Sequence, residues 1–378
     1  MIIEIRKAGF INKGAELMLF AILEKLKERY PDAKFAMAPN LKSQPFEKRV
    51  PLGLYQKVYF WRKGFQFGIL GNLIPPNIRK EYGLVVDKEI SVVIDASGFS
   101  YSDQCGTSSC LELANSCKRW KKNNTKVILL PQAFGPFESI INKSSIKKAV
   151  ENIDVLYARD IVSYNYLVNT VGEKKNIKLA PDFTNLLKGI VPDNFNSADN
   201  KFCIVPNYRM IDKTSKEMSD AYIPFLIKCA KYLLEKNQKP FILVHEGDKD
   251  FELAQIIKNE INEINIIQET DPLKIKGILG ACEGTIGSRF HGLVSALSQG
   301  IPSLATGWSH KYQMLFNDYG FSGGLMDVKM SDEDIKLKID LIIEPESREA
   351  IKNKIIINSN RLKELSQQMW DEVFMVIN

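Results

Sequence analysis

The chain has 378 residues, of which 45% are apolar and 25% charged, with a formal net charge of +6. That length exceeds one ordinary core and predicts two domains, while the apolar share excludes a disordered chain. No apolar run reaches the ~18 residues of a membrane span, and no run of five basic residues marks a nucleic-acid partner. The opening MIIEIRKAGF lacks the ordered regions of a secretory signal, so the expected location is the cytoplasm, including the inner face of the membrane. The mild positive charge suits anionic ligands or an anionic lipid surface. The six cysteines form no C-x-x-C, and no histidine pair has zinc spacing, so neither a metal nor a cofactor is expected.

In chain order, β-branched runs at 2–5, 34–37, 91–94, 126–130, 155–158 and 177–179 read as strands. Amphipathic segments at 15–29, 109–122, 144–151 and 161–169 read as helices between several of them. The stretch VPDNFNSADNK at 191–201 has no periodicity and reads as a link. The alternation then restarts, with strands at 202–205, 241–244, 265–267, 284–286 and 302–305 and helices at 219–235, 250–262, 273–281, 291–298 and 312–316. A strandless helical tail follows from 344 to 376.

The expected fold class is therefore α/β: two Rossmann-like parallel-sheet domains facing a cleft, in the GT-B manner, with a C-terminal helix returning to the first. The expected division is 1–195, 201–345 and a tail at 346–378. Ligands of such sheets bind beyond the carboxyl ends of the strands, so chemistry belongs on the loops that follow strands.

One such loop carries the strongest motif. In GTIGSRFHGLVSALSQGIPS, residues 284–303, an apolar run ends at a Gly-Ser turn, and Arg289 and His291 follow just as a helix opens. Alternate residues of an extended segment share a side. A helix start offers unpaired N–H groups, which with an arginine fork make a seat for phosphate or carboxylate. The bland alternative is a capped helix whose arginine meets a structural carboxylate and whose histidine packs at an edge.

The segment resembles the polysaccharide pyruvyl transferase family, whose pattern is Ser-x-Arg-Leu-His, a helical Ala, Gly-x-Pro, then an aromatic residue and a lysine. Ser288-Arg289-Phe290-His291 is one residue shorter with Phe290 for Leu, and Ala296, Gly300, Pro302, Lys311 and Tyr312 fit. Other matches run along the chain. They are the Asn12-Lys13-Gly14-Ala15-Glu16 loop, Gly98 in a depleted glycine cluster, Gln132 in the Gln-Ala-Phe-Gly-Pro-Phe turn, Arg159-Asp160 with Ser163, and Pro181-Asp182.

The resemblance implies transfer of a pyruvyl group from phosphoenolpyruvate to sugar hydroxyls, as a cyclic ketal, in surface or capsular polysaccharide synthesis. The partners implied are that donor and an acceptor sugar that a lipid can carry. Under it, Arg289 is the expected anion clamp, aided by Arg159, Lys311 and Arg209, and His291 is the acid/base group because imidazole titrates near neutral pH. Glu16 and Asp182 would deprotonate or orient the hydroxyl, while Phe290, Asn12, Gly14, Gly98, Gln132 and His310 line the substrate. His245, at a strand end, leans to a structural role.

Residues 55–73 mix Tyr59, Phe60, Trp61, Phe65 and Phe67 with Lys57, Arg62 and Lys63. Such a stretch is a membrane-interface or sugar-stacking element, or an ordinary buried helix. Two other functional readings share the architecture: a GT-B glycosyltransferase using a nucleotide sugar, and a non-catalytic glycan-binding relative.

Overall fold

The run Phe202–Val205 is apolar on both faces, and Ile2–Arg6 sets Ile3 and Ile5 on one face against Glu4 and Arg6 on the other, where both charges are ion-paired inside the fold. In a computed structural model, which describes residues 1–40, 43–62, 65–66, 68–307 and 309–378, these two runs are the central strands of two separate sheets. The chain forms two compact units: Met1–Phe183 with Leu365–Asn378, and Thr184–Glu364.

In the first unit the strands lie in the order Ile177–Leu179, Val155–Ala158, Lys126–Phe134, Val92–Asp95, Ile2–Arg6, Lys34–Met37, Tyr55–Lys57 and Leu84–Val85, with Phe99–Tyr101 beside Lys126–Phe134. Every pairing in this sheet is parallel. From Ile2–Arg6 the chain builds outward to one side, then returns to Val92–Asp95 and builds outward to the other. That reversal leaves a crevice at the carboxyl ends of the two central strands.

The expected strand at 126–130 continues to Phe134 through Pro131, which has no N–H to give to a ladder. The register shows how it is tolerated. Leu129 faces Leu156 and Gln132 faces Ala158, so Leu130 and Pro131 together oppose only Tyr157. Such a bulge leaves one residue outside the pairing.

The tail is one helix, Pro345–Ile377. Its end packs on the first unit, with Trp370 fully buried and edge-on to Phe183 at 6.1 Å, and Tyr157 donating to Glu372 at 2.9 Å.

The second sheet has the order Asn265–Gln268, Pro240–Val244, Phe202–Val205, Gly284–Gly287 and Ser303–Ala305, again parallel throughout. Its reversal falls between Phe202–Val205 and Gly284–Gly287. The stretch 191–201 contains turns and a single-residue approach to the first strand of this sheet, and just before it Ile190 donates its N–H to the Leu273 carbonyl at 2.9 Å.

Short strands at Tyr55–Lys57, Leu84–Val85 and Phe99–Tyr101 have no counterpart in the sequence reading, since two or three residues carry no usable period. The helix weighed for 55–73 does not form. That stretch holds the Tyr55–Lys57 strand, a hairpin of Trp61–Arg62 and Phe65–Gln66, and the 3-10 turns Gly68–Leu73. Lys63 and Phe67 lie outside the described residues.

Candidate active site

The expected site residues fall in two groups, one on each unit, at or after the carboxyl ends of strands. Asn12, Gly14, Glu16 and Gly98 follow the two strands at the first sheet's reversal, while Gln132 lies within the strand beside them and Arg159 and Asp182 follow strands nearer the edge. In the first unit, Asn12 caps the helix Lys13–Arg29, its Oδ1 accepting from the Ala15 N–H at 2.8 Å. Gly14 is buried, and Glu16 is ion-paired to Lys13 at 2.7 Å.

After the strand Val92–Asp95 the chain turns at Gly98, whose φ of +69° favours glycine and whose open side faces the Met18 methyl. Gln132, fully buried, accepts from the Ser97 hydroxyl and reaches Asp95 at 3.5 Å. Asp95 also accepts from Tyr101 at 2.9 Å and faces Arg6 at 3.5 Å. Burial pushes its carboxyl up, with Arg6 opposing. Glu112 takes the other side of Arg6 at 2.6 Å. Burial works against its charge, yet Arg6 prevails and holds the carboxyl down to about 2.

Arg159 and Asp182 pair with each other at 3.3 Å, both nearly buried. Asp160, next to the arginine in sequence, caps the helix Ile161–Val171, accepting from the Ser163 N–H.

In the second unit, the Gly284–Gly287 strand hands directly to Ser288 and Arg289, and the helix Phe290–Leu297 begins. Ser288 is held by a buried network: Tyr222 donates to its hydroxyl at 3.0 Å, and Tyr312 and Asn207 donate to its carbonyl. Only Arg289 remains extended, at φ −98°, and Phe290 and His291 already belong to the helix, so the expectation that Arg289 and His291 share one side of an extended segment does not hold.

The Arg289 fork is engaged. Nε and Nη2 donate to the two oxygens of Asp250, and Nη1 donates to Glu246 at 2.7 Å. Asp250 is fully buried and also accepts the Tyr208 N–H at 2.9 Å. Burial pushes the Asp250 carboxyl up and works against the charge of Arg289. The paired carboxylates outweigh this at Arg289 and raise it. The structural carboxylate posed as the bland alternative is therefore present, and it has a definite identity.

His291 occupies the first helical turn, half-buried, with its ring edge-on to Phe290 at 5.5 Å. The Lys311 ammonium sits 5.4 Å from the centroids of both Phe290 and Tyr312, and His310 opens the helix His310–Asp318 beside it. Lys311 thus sets one ammonium by the first residue of a helix, and a helix N-terminus with a cation near it attracts a carboxylate or phosphate. Arg209 opens the short helix Arg209–Asp212 and pairs with Asp212. No cluster of metal ligands occurs among the described residues.

Sequence reasoning passed over Asp250, Glu246, Asn207 and Tyr222. The available signal was position: Glu246 and Asp250 follow the strand Pro240–Val244 and open the helix Gly247–Glu260.

His245 lies behind the site, buried, and it sets a steric limit. A Cβ added at Gly292 would stand 3.3 Å from His245 Cδ2 and 3.4 Å from Arg289 Cβ. Helix propensity favours alanine by up to ~1 kcal/mol, but overpacking costs ~1–3 kcal/mol. Gly292→Ala is therefore expected to lose about 1 kcal/mol in urea unfolding, and adding His245→Ala to restore much of it.

No curated protein sequence matches the chain. Solved structures resemble it over nearly its full length. UDP-GlcNAc 2-epimerase from Neisseria meningitidis bound to UDP-GlcNAc is 9% identical at a TM-score of 0.60, with 99% of each chain covered. Anabaena HepE in complex with UDP and glucose is 13% identical at 0.59, with 99% of each covered. S. aureus MnaA with UDP is 12% identical at 0.59, covering 98% of this chain and 95% of that one. At such identities the likeness establishes a GT-B-like fold and leaves activity to the site. The family profile of the polysaccharide pyruvyl transferases matches residues 12–310, from the Asn12 cap through the Arg289–His291 loop to His310, and the chain belongs to that family.

Proposed function

We propose that the protein transfers a pyruvyl group from phosphoenolpyruvate to sugar hydroxyls, forming a cyclic ketal during synthesis of a surface or capsular polysaccharide. The supporting observation is the placement of His291 in the first turn of Phe290–Leu297, edge-on to the Phe290 ring that Lys311 also approaches, at a sheet reversal within the family match.

In this reading a sugar oxygen bonds to C2 of the donor while the methylene carbon takes a proton and becomes a methyl group. His291 supplies that proton. A second hydroxyl then attacks C2 and gives up its proton, the C2–O bond to phosphate breaks, phosphate departs carrying that proton, and the ketal closes. Lys311 and the helix N-terminus hold the donor's negative groups, with His310 and Arg209 near the same edge. The first unit is assigned to the acceptor: Asn12, Gly14, Gly98 and Gln132 shape its seat, and Glu16 or Asp182 receives or orients the hydroxyl proton. Arg159 steadies Asp182. Arg289, committed to Asp250 and Glu246, acts as a positioning residue that fixes where Phe290 and His291 emerge.

The test follows phosphate release from phosphoenolpyruvate with lipid-linked, polymeric and nucleotide sugars in turn. Release that needs both substrates, with a product heavier by pyruvate less one water, supports the proposal. A rise in melting temperature with UDP-sugars and none with phosphoenolpyruvate would instead identify a nucleotide-sugar enzyme or binder. Lys311→Ala is expected to raise the donor KM by ~10-fold or more while leaving kcat largely intact, as loss of a binding charge should.

A further inference from the structure

The turn after the strand Val92–Asp95 carries a polar side chain with no role in the chemistry above. Ser97 stands two residues beyond the strand end, at the reversal of the first sheet, where the glycine cluster is depleted. The backbone around it is tied to both neighbouring strands. The Ala96 N–H donates to the Arg6 carbonyl at 3.0 Å, the Phe99 N–H to the Ser97 carbonyl at 2.8 Å, and the Ala133 N–H to the Gly98 carbonyl at 2.9 Å. The hydroxyl is therefore offered from a fixed position, and the residue is half-buried rather than enclosed.

A chain of buried groups sets where its hydrogen goes. Arg6 and Tyr101 hold the Asp95 carboxylate, at 3.5 and 2.9 Å. The ionised carboxylate can only accept, so it draws Nε2 of the fully buried Gln132 towards itself, at 3.5 Å. That turns Oε1 of Gln132 to Ser97, and the hydroxyl donates to it. The opposite amide orientation would set Oε1 against the carboxylate, lone pair to lone pair. The one hydrogen of Ser97 is thus committed inward, and among the described residues no side chain donates to its oxygen.

We propose that Ser97 helps select the acceptor by accepting a hydrogen bond from one sugar hydroxyl. An oxygen that presents only lone pairs takes an O–H and disfavours phosphate and carboxylate oxygens, which present lone pairs themselves. The turn thereby prefers the hydroxyl-bearing acceptor to the anionic donor. Ser97 takes no proton and forms no covalent bond, so it is a specificity residue, with Gln132 and Asp95 as positioning residues behind it. The sugar's part as acceptor rests on the pyruvyl-transfer reading.

The test measures binding, so it stands apart from turnover. The whole chain is titrated by saturation-transfer NMR with methyl galactoside, methyl glucoside and methyl mannoside, each with its monodeoxyfluoro analogues. Fluorine takes the place of a hydroxyl and cannot donate. One analogue of a bound sugar is expected to bind wild type ~5-fold more weakly than its parent. Ser97→Ala should weaken the parent by a similar factor, with no further loss for that analogue. Ser97→Thr keeps the oxygen and should retain binding, and both variants should keep wild-type affinity for phosphoenolpyruvate and the wild-type melting temperature. The inference is overturned if Ser97→Ala binds the parent as wild type does, if every fluoro analogue keeps full affinity, or if none of the three sugars binds. Sugar binding that needs Ser97, in a protein that releases no phosphate from phosphoenolpyruvate with any acceptor, would uphold the hydroxyl seat and remove the pyruvyl-transfer reading instead.

Discussion

Asp250→Ala is expected to destabilise the second unit by about 3 kcal/mol, the lower end of the cost of stripping one partner from a buried ion pair. The carboxylate is fully buried, and its oxygens receive two guanidinium nitrogens of Arg289 and the N–H of Tyr208. Removing it leaves those donors facing apolar neighbours, with Glu246 alone against the charge. Arg289→Ala should cost a similar amount, because it leaves Asp250 buried beside only the Tyr208 amide. The double variant Asp250→Ala/Arg289→Met should be more stable than the sum of the single changes predicts, as expected when a charge and its partner leave together. Urea unfolding of the three variants measures this coupling. Strict additivity would mean that the pair contributes nothing beyond its separate side chains. Because the guanidinium is occupied, Arg289→Lys should lower kcat more than donor affinity, and a larger loss of affinity would overturn the positioning role.

The second large effect is expected at His291. A general acid contributes ~10²–10⁴-fold to a proton-transfer step. His291→Gln keeps a side chain of similar reach with no titratable group, so turnover should fall by at least the lower figure while donor affinity changes far less. The sign of the pH dependence follows from the role. Turnover should fall as pH rises through the value at which the imidazole of the donor complex loses its proton, and this limb should vanish in the variant. Steady-state rates with donor binding measured separately decide it. Near-normal turnover in His291→Gln would move the proton to Glu16, Asp182 or His310.

The architecture was legible because the residues that carry it are local. The Phe202–Val205 and Gly284–Gly287 strands are short apolar runs, and Ser288 through His291 form a contiguous strand-to-helix turn. What stayed hidden depends on residues distant in sequence. Asp250 is 39 positions from Arg289 and Tyr222 is 66 from Ser288, and the sequence alone does not say that either pair meets. Arg159 shows the same limit, since its partner is Asp182, 23 positions away, and not the adjacent Asp160. The strands Tyr55–Lys57 and Leu84–Val85 are too short to show a period, and in the first of them Lys57, which sequence reads as surface, is buried between Glu4 and Asp87.

The course of the chain bears on how the protein is made. Because Leu365–Asn378 completes a unit that begins at Met1, the whole of Thr184–Glu364 leaves the ribosome before the first unit can receive Trp370. A nascent chain can close the second unit early, while the first waits with the Phe183 ring and the Tyr157 hydroxyl uncovered. Emergence of Leu365–Asn378, rather than synthesis of the first 183 residues, is then the event that finishes the N-terminal sheet's packing, and an excised fragment ending at Phe183 would remain in that waiting state.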